Sequence, residues 1–201
     1  KIIEQYKEDL PKKIIDRIEE VTKKDKSSFN IVWIPTIEDN TQTSFPEKYE
    51  CQIVRFLRDT LKELSEDKLN EIVKLLLSKE HSIFKRIGIH SINVRYDDLK
   101  ELFWSISQNP LDNYELTHEI YELLKNNSNK FGKEEISKII KWIEDKKYYI
   151  PDDIKGKLDK EKEIIAFRKK EWYSALKTLS DTDIQEKYKK YDEINHTEIK
   201  H

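Results

Sequence analysis

The sequence predicts an all-α fold in which helical hairpins stack side by side as an α-solenoid, and three observations carry that expectation. Apolar residues recur at three-and-four spacing in segment after segment. Turn-forming residues interrupt these segments with a beat of roughly 30 to 45 residues per helix pair, the period of a helical repeat array. Charged residues make up 39% of the 201-residue chain and hydrophobic residues 36%, a balance that suits an elongated stack with much surface better than a sphere.

Residues 1 to 24 offer Ile2 and Ile3, then Leu10, Ile14, Ile15, Ile18 and Val21, a helical stripe. Pro11 stands where a second helix would begin, so a break near Asp9 is expected. From Lys24 to Pro46 the period is lost. Phe29 to Ile34 is a short apolar run closed by Pro35, and Glu38 to Ser44 is polar. An irregular connector near residues 25–46 follows, its apolar half packed on the first helices, with an isolated extended segment as one option.

Beyond Pro46 the pattern becomes regular. Ile53, Phe56, Leu57, Thr60, Leu61 and Leu64 fit one helix face, and Leu69, Ile72, Val73 and Leu76 another, with Ser65 and Asp67 between them as caps. These two helices are expected to form the first hairpin. Next comes a short helix that anchors the stack, with Ser82 as its expected cap and Ile83, Phe84, Ile87, Gly88, Ser91 and Ile92 on one face. A glycine inside a helix costs about 1 kcal/mol against alanine, so Gly88 points to a second helix crossing closely there. Phe84, Arg86, Ile87, Gly88 and Ile92 are accordingly assigned as the structural anchor, with Arg86 off the apolar face.

The acidic pair Asp97-Asp98 opens a helix bearing Leu99, Leu102, Phe103 and Ile106, which completes a second hairpin. After Asn109-Pro110, Leu116, Ile120, Leu123 and Leu124 form a face; past the turn from Asn126 to Gly132, so do Ile136, Ile139, Ile140 and Ile143. That is a third hairpin. Tyr148 to Gly156 is a loop or single turn before a longer helix from Ile164 through Trp172 to Leu179. Ser180 to Asp183 has capping-box spacing ahead of the stripe Ile184, Tyr188 and Tyr191. The pattern divides the chain into an N-terminal helix and connector (1–46), three stacked hairpins (47–147), and a C-terminal helical pair with a polar tail (148–201).

Composition bounds the function. Lys and Arg number 38 against 40 Asp and Glu, a net charge of -2, so no global field draws the chain to DNA or to an anionic membrane. No apolar run approaches the ~18 residues of a membrane span. Cys51 stands alone, which excludes an internal disulfide and fits a reducing, cytoplasmic setting. The chain starts at Lys1 and has no Met, as expected of a piece of a longer protein. Its three glycines build no phosphate-cradling loop, and no cofactor is expected.

Arg86, which follows an apolar start and precedes a small residue, makes the anchor similar to a HEAT-repeat helix. A longer resemblance spans about half the chain. Trp33-Ile-Pro-Thr-Ile-Glu-Asp-Asn-Thr-Gln42, a helix containing Arg55-Phe-Leu-Arg-Asp-Thr, and Ser82-Ile-Phe-Lys-Arg-Ile resemble helical regions of large bacterial NTPases of the STAND type, used in antiviral defence. The Walker motif of that family does not occur in this sequence, so no nucleotide-binding residue carries over. The resemblance implies a helical repeat piece outside the motor, a sensor or scaffold that recognises a foreign protein.

Several constellations on that scaffold admit both a chemical and a purely structural role. Glu115-Leu-Thr-His118 and Glu193-Ile-Asn-His196 have the Glu-x-x-His spacing of di-iron bundles. At 100° per residue both histidines fall off their apolar faces, so no metal ligand is assigned. Cys51 with His81 or His90 gives no supported nucleophilic pair, and Glu38-Asp39 reads as loop solvation or capping. Lys160, Lys162, Arg168, Lys169 and Lys170 read as a solvated face rather than a phosphate track. Trp104 and Trp142 fall off their own stripes; they are either buried between repeats or contacts for a partner, and they are the candidate partner-binding residues. The resulting expectation is a non-catalytic segment with a protein partner, against two alternatives: an enzyme fragment whose catalytic domain lies elsewhere, and a nucleic-acid-binding array.

Overall fold

The computed structural model describes residues 2–32, 34–39 and 48–199, with side chains from Asp9 onward. Trp33 and residues 40–47, which fall in the resemblance and the connector above, and the side chains of Ile2 and Ile3 lie outside these described residues. Among the described residues the fold is all-helical, with nine α-helices and no strand. The helices are α1 Ile2–Lys24, α2 Tyr49–Lys62, α3 Glu66–Ser78, α4 Ser82–Val94, α5 Tyr96–Trp104, α6 Thr117–Asn127, α7 Lys133–Asp145, α8 Leu158–Ser174 and α9 Thr182–Ile194. Short 3₁₀ turns stand at Pro110–Asp112, Tyr114–Leu116 and Ser128–Lys130.

The chain forms two compact units. The first holds residues 1–106 and 114–120. Here α1 packs on α2, α3 on α4, and α4 on α2, on α5 and on the 3₁₀ turn at Tyr114–Leu116. The second holds residues 107–113 and 121–201, where α8 packs on α9 and α7 on α8.

Four local expectations need correction. The first helix does not break near Asp9: α1 runs through Pro11, whose ring is buried. A proline inside a helix costs about 3 kcal/mol through its lost N–H and its clash with the preceding turn, and burial of the α1 stripe, Ile14, Ile15 and Ile18 among it, offsets this. The cap of α4 is His81 rather than Ser82, because the imidazole Nδ1 accepts the Ile83 N–H at 3.3 Å. At α9 the cap is Asp181, which accepts from the Ile184 N–H at 3.2 Å, so the Ser180 to Asp183 frame is one residue early.

The fourth correction concerns pairing. The α2–α3 connection is tight, yet these two are not among the main packed pairs; α3 lies on α4 instead. Gly88 accounts for that choice. A Cβ placed there would sit 3.2 Å from Leu77 Cδ2 and 3.5 Å from Leu76 Cβ, so α3 occupies the space the glycine leaves.

The connector is irregular through its described part, 25–39. Phe29, Ile34 and Ile37 bury their side chains, while Asp39 is exposed. Gly156, at φ +85°, ends the loop before α8 in the left-handed region that a side chain disfavours.

Candidate functional site

Helix α4 is buried from Ser82 to Ile92 at every position but Lys85, so the anchor residues Phe84, Arg86, Ile87, Gly88 and Ile92 all lie inside unit 1. Arg86 does not lie off the core. Its side chain is 1% exposed and faces a carboxylate buried to a similar degree, Glu119 of α6. Arg86 Nε donates to Glu119 Oε2 at 3.0 Å and Nη2 to Oε1 at 2.8 Å, a two-pronged pair. The same guanidinium donates to the backbone carbonyls of Ile34 at 2.7 Å and Pro35 at 3.0 Å.

A second arginine repeats the device. Arg58 of α2 donates to the Ile37 carbonyl at 3.0 Å, to Asp39 at 2.8 Å and to Asp59 at 2.9 Å. The Arg58 guanidinium and the Lys62 ammonium together hold the Asp59 carboxyl at about 2, with the Arg58 hydrogen bond the larger cause. Residues 34–39 are thus strapped down at three carbonyls by two helices, which satisfies backbone acceptors that an irregular segment would otherwise bury unmet.

Between the straps, Glu38 reaches toward two histidines. Its Oε1 is 3.9 Å from His90 Nδ1 and its Oε2 is 3.7 Å from His118 Nε2, both beyond hydrogen-bonding range. His118 Nε2 is buried without a partner. Burial first, then the charges of Arg58 and Lys62, pull the His90 imidazole down to about 4. Of the two Glu-x-x-His frames, the first splits, His118 facing Glu38 while Glu115 lines a groove by the end of α1; the second is exposed at Glu193 and His196. No group of three His, Cys, Asp or Glu side chains among the described residues could hold a metal ion. Cys51 is half-buried, and burial raises its thiol pKa.

The tryptophans part company. Trp142 is 7% exposed, the buried one of its two readings, and an indole so covered has little area left to offer a partner. Trp104 is half-buried, its Nε1 donating to the Tyr96 hydroxyl at 2.7 Å and its ring set edge-on to Phe103. An outward aromatic face with helical spacing lies on α2. Tyr49 and Phe56, two turns apart, are 51% and 53% exposed.

In unit 2 the basic run on α8 divides. Lys160, Lys162 and Arg168 are exposed or nearly so, but Lys170 is 1% exposed, donating to Asp192 at 3.0 Å and to the carbonyls of Asn195 and Thr197 at 2.5 and 2.7 Å. Lys169 meets Glu144 of α7 at 2.5 Å, and Tyr173 and Tyr191 donate to the same carboxylate at 2.8 Å. Burial alone would raise the Glu144 pKa; hydrogen bonds from Lys169, Tyr191 and Tyr173 overcome this and hold it at about 2. The only hint of this polar centre in the sequence is a helix whose basic residues lie on every side.

The groove, of about 340 Å³, opens in unit 1 between the end of α1 and the α3–α4 junction. Glu19, Thr22, Lys23 and Lys26 form one wall; Lys79, Glu80, His81, Ser82 and Phe84 form the other, with Glu115 beside them. His81 spans it, Nε2 donating to the Lys26 carbonyl at 3.1 Å while Nδ1 caps α4. Lys79 and Lys23 pair with Glu19 at 2.7 and 3.4 Å.

No known protein family, curated protein or solved structure matches the chain.

Proposed function

We propose that this chain is a non-catalytic helical scaffold segment that recognises another protein, as part of a larger bacterial defence protein working in the cytoplasm. The observation that carries the reading is the outward face of α2, where Tyr49 and Phe56 are half exposed two turns apart. Tyrosine is enriched among the residues that concentrate binding energy at interfaces, and Phe56 adds apolar area beside it. Successive helices packed in pairs, α3 on α4 and α8 on α9, support stacked HEAT-like hairpins as the architecture. The resemblance to helical regions of STAND-type NTPases supplies the setting, a sensor array outside the motor. The buried arginines, Glu119 and Glu144 support the non-catalytic part, since their hydrogen bonds go to the chain's own backbone and side chains.

The experiment places a photo-crosslinking residue at Phe56, or at the exposed Lys74 of α3, in cells producing the protein. One reproducible protein adduct from position 56, lost with Tyr49→Ser and not seen from position 74, is expected. Equal adducts from both positions would overturn the α2 face. Stoichiometric ATP binding by calorimetry would overturn the non-catalytic reading and favour an enzyme segment.

A further inference from the structure

The groove beside α4 has features that protein recognition on α2 does not use. Helix α4, thirteen residues long, has no acidic residue in its first turn, so nothing of its own balances the positive end of its dipole. The first N–H of the helix, that of Ser82, has no acceptor within the helix by position. Beside it the Ser82 side chain is more than nine-tenths buried, at 7% exposed. Its hydroxyl makes no hydrogen bond among the described residues, yet it is not sealed, for it lines the groove. Such a hydroxyl, held by covered surroundings yet open to the groove, is a donor left for whatever enters there. Lys26, on the facing wall, makes no ion pair among the described residues, and its backbone carbonyl is tied to His81, which fixes that wall against the helix end.

We propose that the groove binds a small phosphorylated or carboxylated molecule, its oxyanion received at the N-terminus of α4 by the Ser82 hydroxyl and N–H, with the Lys26 ammonium as counter-charge at the rim. Helix N-termini receive oxyanions in this way because backbone donors and dipole act together. The volume of about 340 Å³ exceeds that of a bare ion and suits a small metabolite. The groove also carries three carboxylates. Glu19 is neutralised by Lys79 and Lys23; Glu80 and Glu115 remain on the wall, where they repel a second anionic group and accept hydrogen bonds from hydroxyls or amines. The ligand class is therefore a singly anionic-headed molecule with donor groups in its remainder.

The test uses the whole chain, with inorganic phosphate and acetate as probes and sodium chloride at matched ionic strength as control, read by amide and imidazole chemical shifts. The expected result is saturable shifts at His81, Ser82 and Ile83 with phosphate or acetate in the millimolar range, and none with chloride. The stronger probe identifies the head group. Ser82→Ala removes one donor and is expected to weaken binding about fivefold, the usual worth of one hydrogen bond. Lys26→Gln, on an exposed side chain that cannot disturb the core, is expected to weaken it too. Shifts that do not saturate, that chloride reproduces, or that both variants leave unchanged would overturn the proposal.

Discussion

At the scale of single residues, Arg86 dominates unit 1. Removing one partner of a buried ion pair leaves the other charge stranded, typically at about 3–5 kcal/mol, so Arg86→Ala and Glu119→Ala are each expected to unfold at much lower urea. Arg86→Lys is expected to recover little, since an ammonium cannot serve both the carboxylate and two carbonyls in the same plane. Equal midpoints for wild type and Arg86→Ala would show that the pair adds nothing. His90 supplies a second residue-scale expectation. In the unfolded chain it takes a proton near 6.5, in the fold only near 4. Between those values the unfolded state binds the proton that the folded state refuses, so stability falls as pH drops through the window, by about 3 kcal/mol in full. Urea unfolding at both ends of the window is expected to show this loss for wild type and a smaller one for His90→Gln; identical loss in both would assign it elsewhere. Neither residue announced its partners, although Arg86 was assigned to the anchor. Arg86 carries a charge, and a charged position on an amphipathic helix reads as solvent-facing unless its partner is known, which here lies 33 residues away.

At the scale of elements, most helices were legible because they bury a stripe with a fixed period, α8 being the exception. Gly88 was legible because a glycine inside such a stripe seldom stands there except where another helix crosses closely. The space it leaves sets a graded expectation. Gly88→Ala puts its methyl against the far end of the half-buried Leu77 side chain, which can swing aside, and gains about 1 kcal/mol of helix propensity; little net change is expected. Gly88→Leu must push α3 away and is expected to cost about 1–3 kcal/mol or more. A Gly88→Leu midpoint equal to wild type would mean that α3 does not cross there. Which helix pairs with which was not legible, since pairing across a short turn depends on backbone angles that periodicity does not encode. The groove escaped for a related reason: Ser82 reads as a cap from its residue type, and only the placement of His81 one position earlier frees its hydroxyl.

At the scale of the whole molecule, the polar centres make both units sensitive to acid in the same direction. Glu144 is held near 2, below its ordinary 4.5, so its contribution is intact above 4.5 and is lost as pH falls toward 2. Glu144→Gln is expected to cost about 2 kcal/mol near neutral pH, because Lys169 loses a charged acceptor, and to flatten the acid limb of stability. The opposite limb belongs to tyrosines. Burial raises the hydroxyls of Tyr148, Tyr173 and Tyr191 above their ordinary 10, so the fold keeps these phenols neutral and loses stability only as pH climbs beyond 10, where the unfolded chain ionises. A pH scan of unfolding with a steep acid side and a late alkaline side is the expected profile. No helix among the described residues is long and apolar enough to cross a membrane.

The strap made by Arg86 also governs the order in which the chain comes together. Its acceptors lie 33 and 52 residues away in sequence, so the guanidinium stays hydrated until both intervening loops have closed, and closure entropy must be met before any of its bonds repay it. Such a contact belongs to the late, native side of the barrier. Arg86→Ala is therefore expected to leave the refolding rate nearly unchanged and to speed unfolding by almost the whole of its stability loss, while a residue that acts within one helix, such as the capping Asp181, divides its effect between both limbs of the chevron. The same delay makes the Ile34 amide, which donates to the Asn30 carbonyl beside the strap, a reporter for the final step: it gains protection from hydrogen exchange only when α4 has docked.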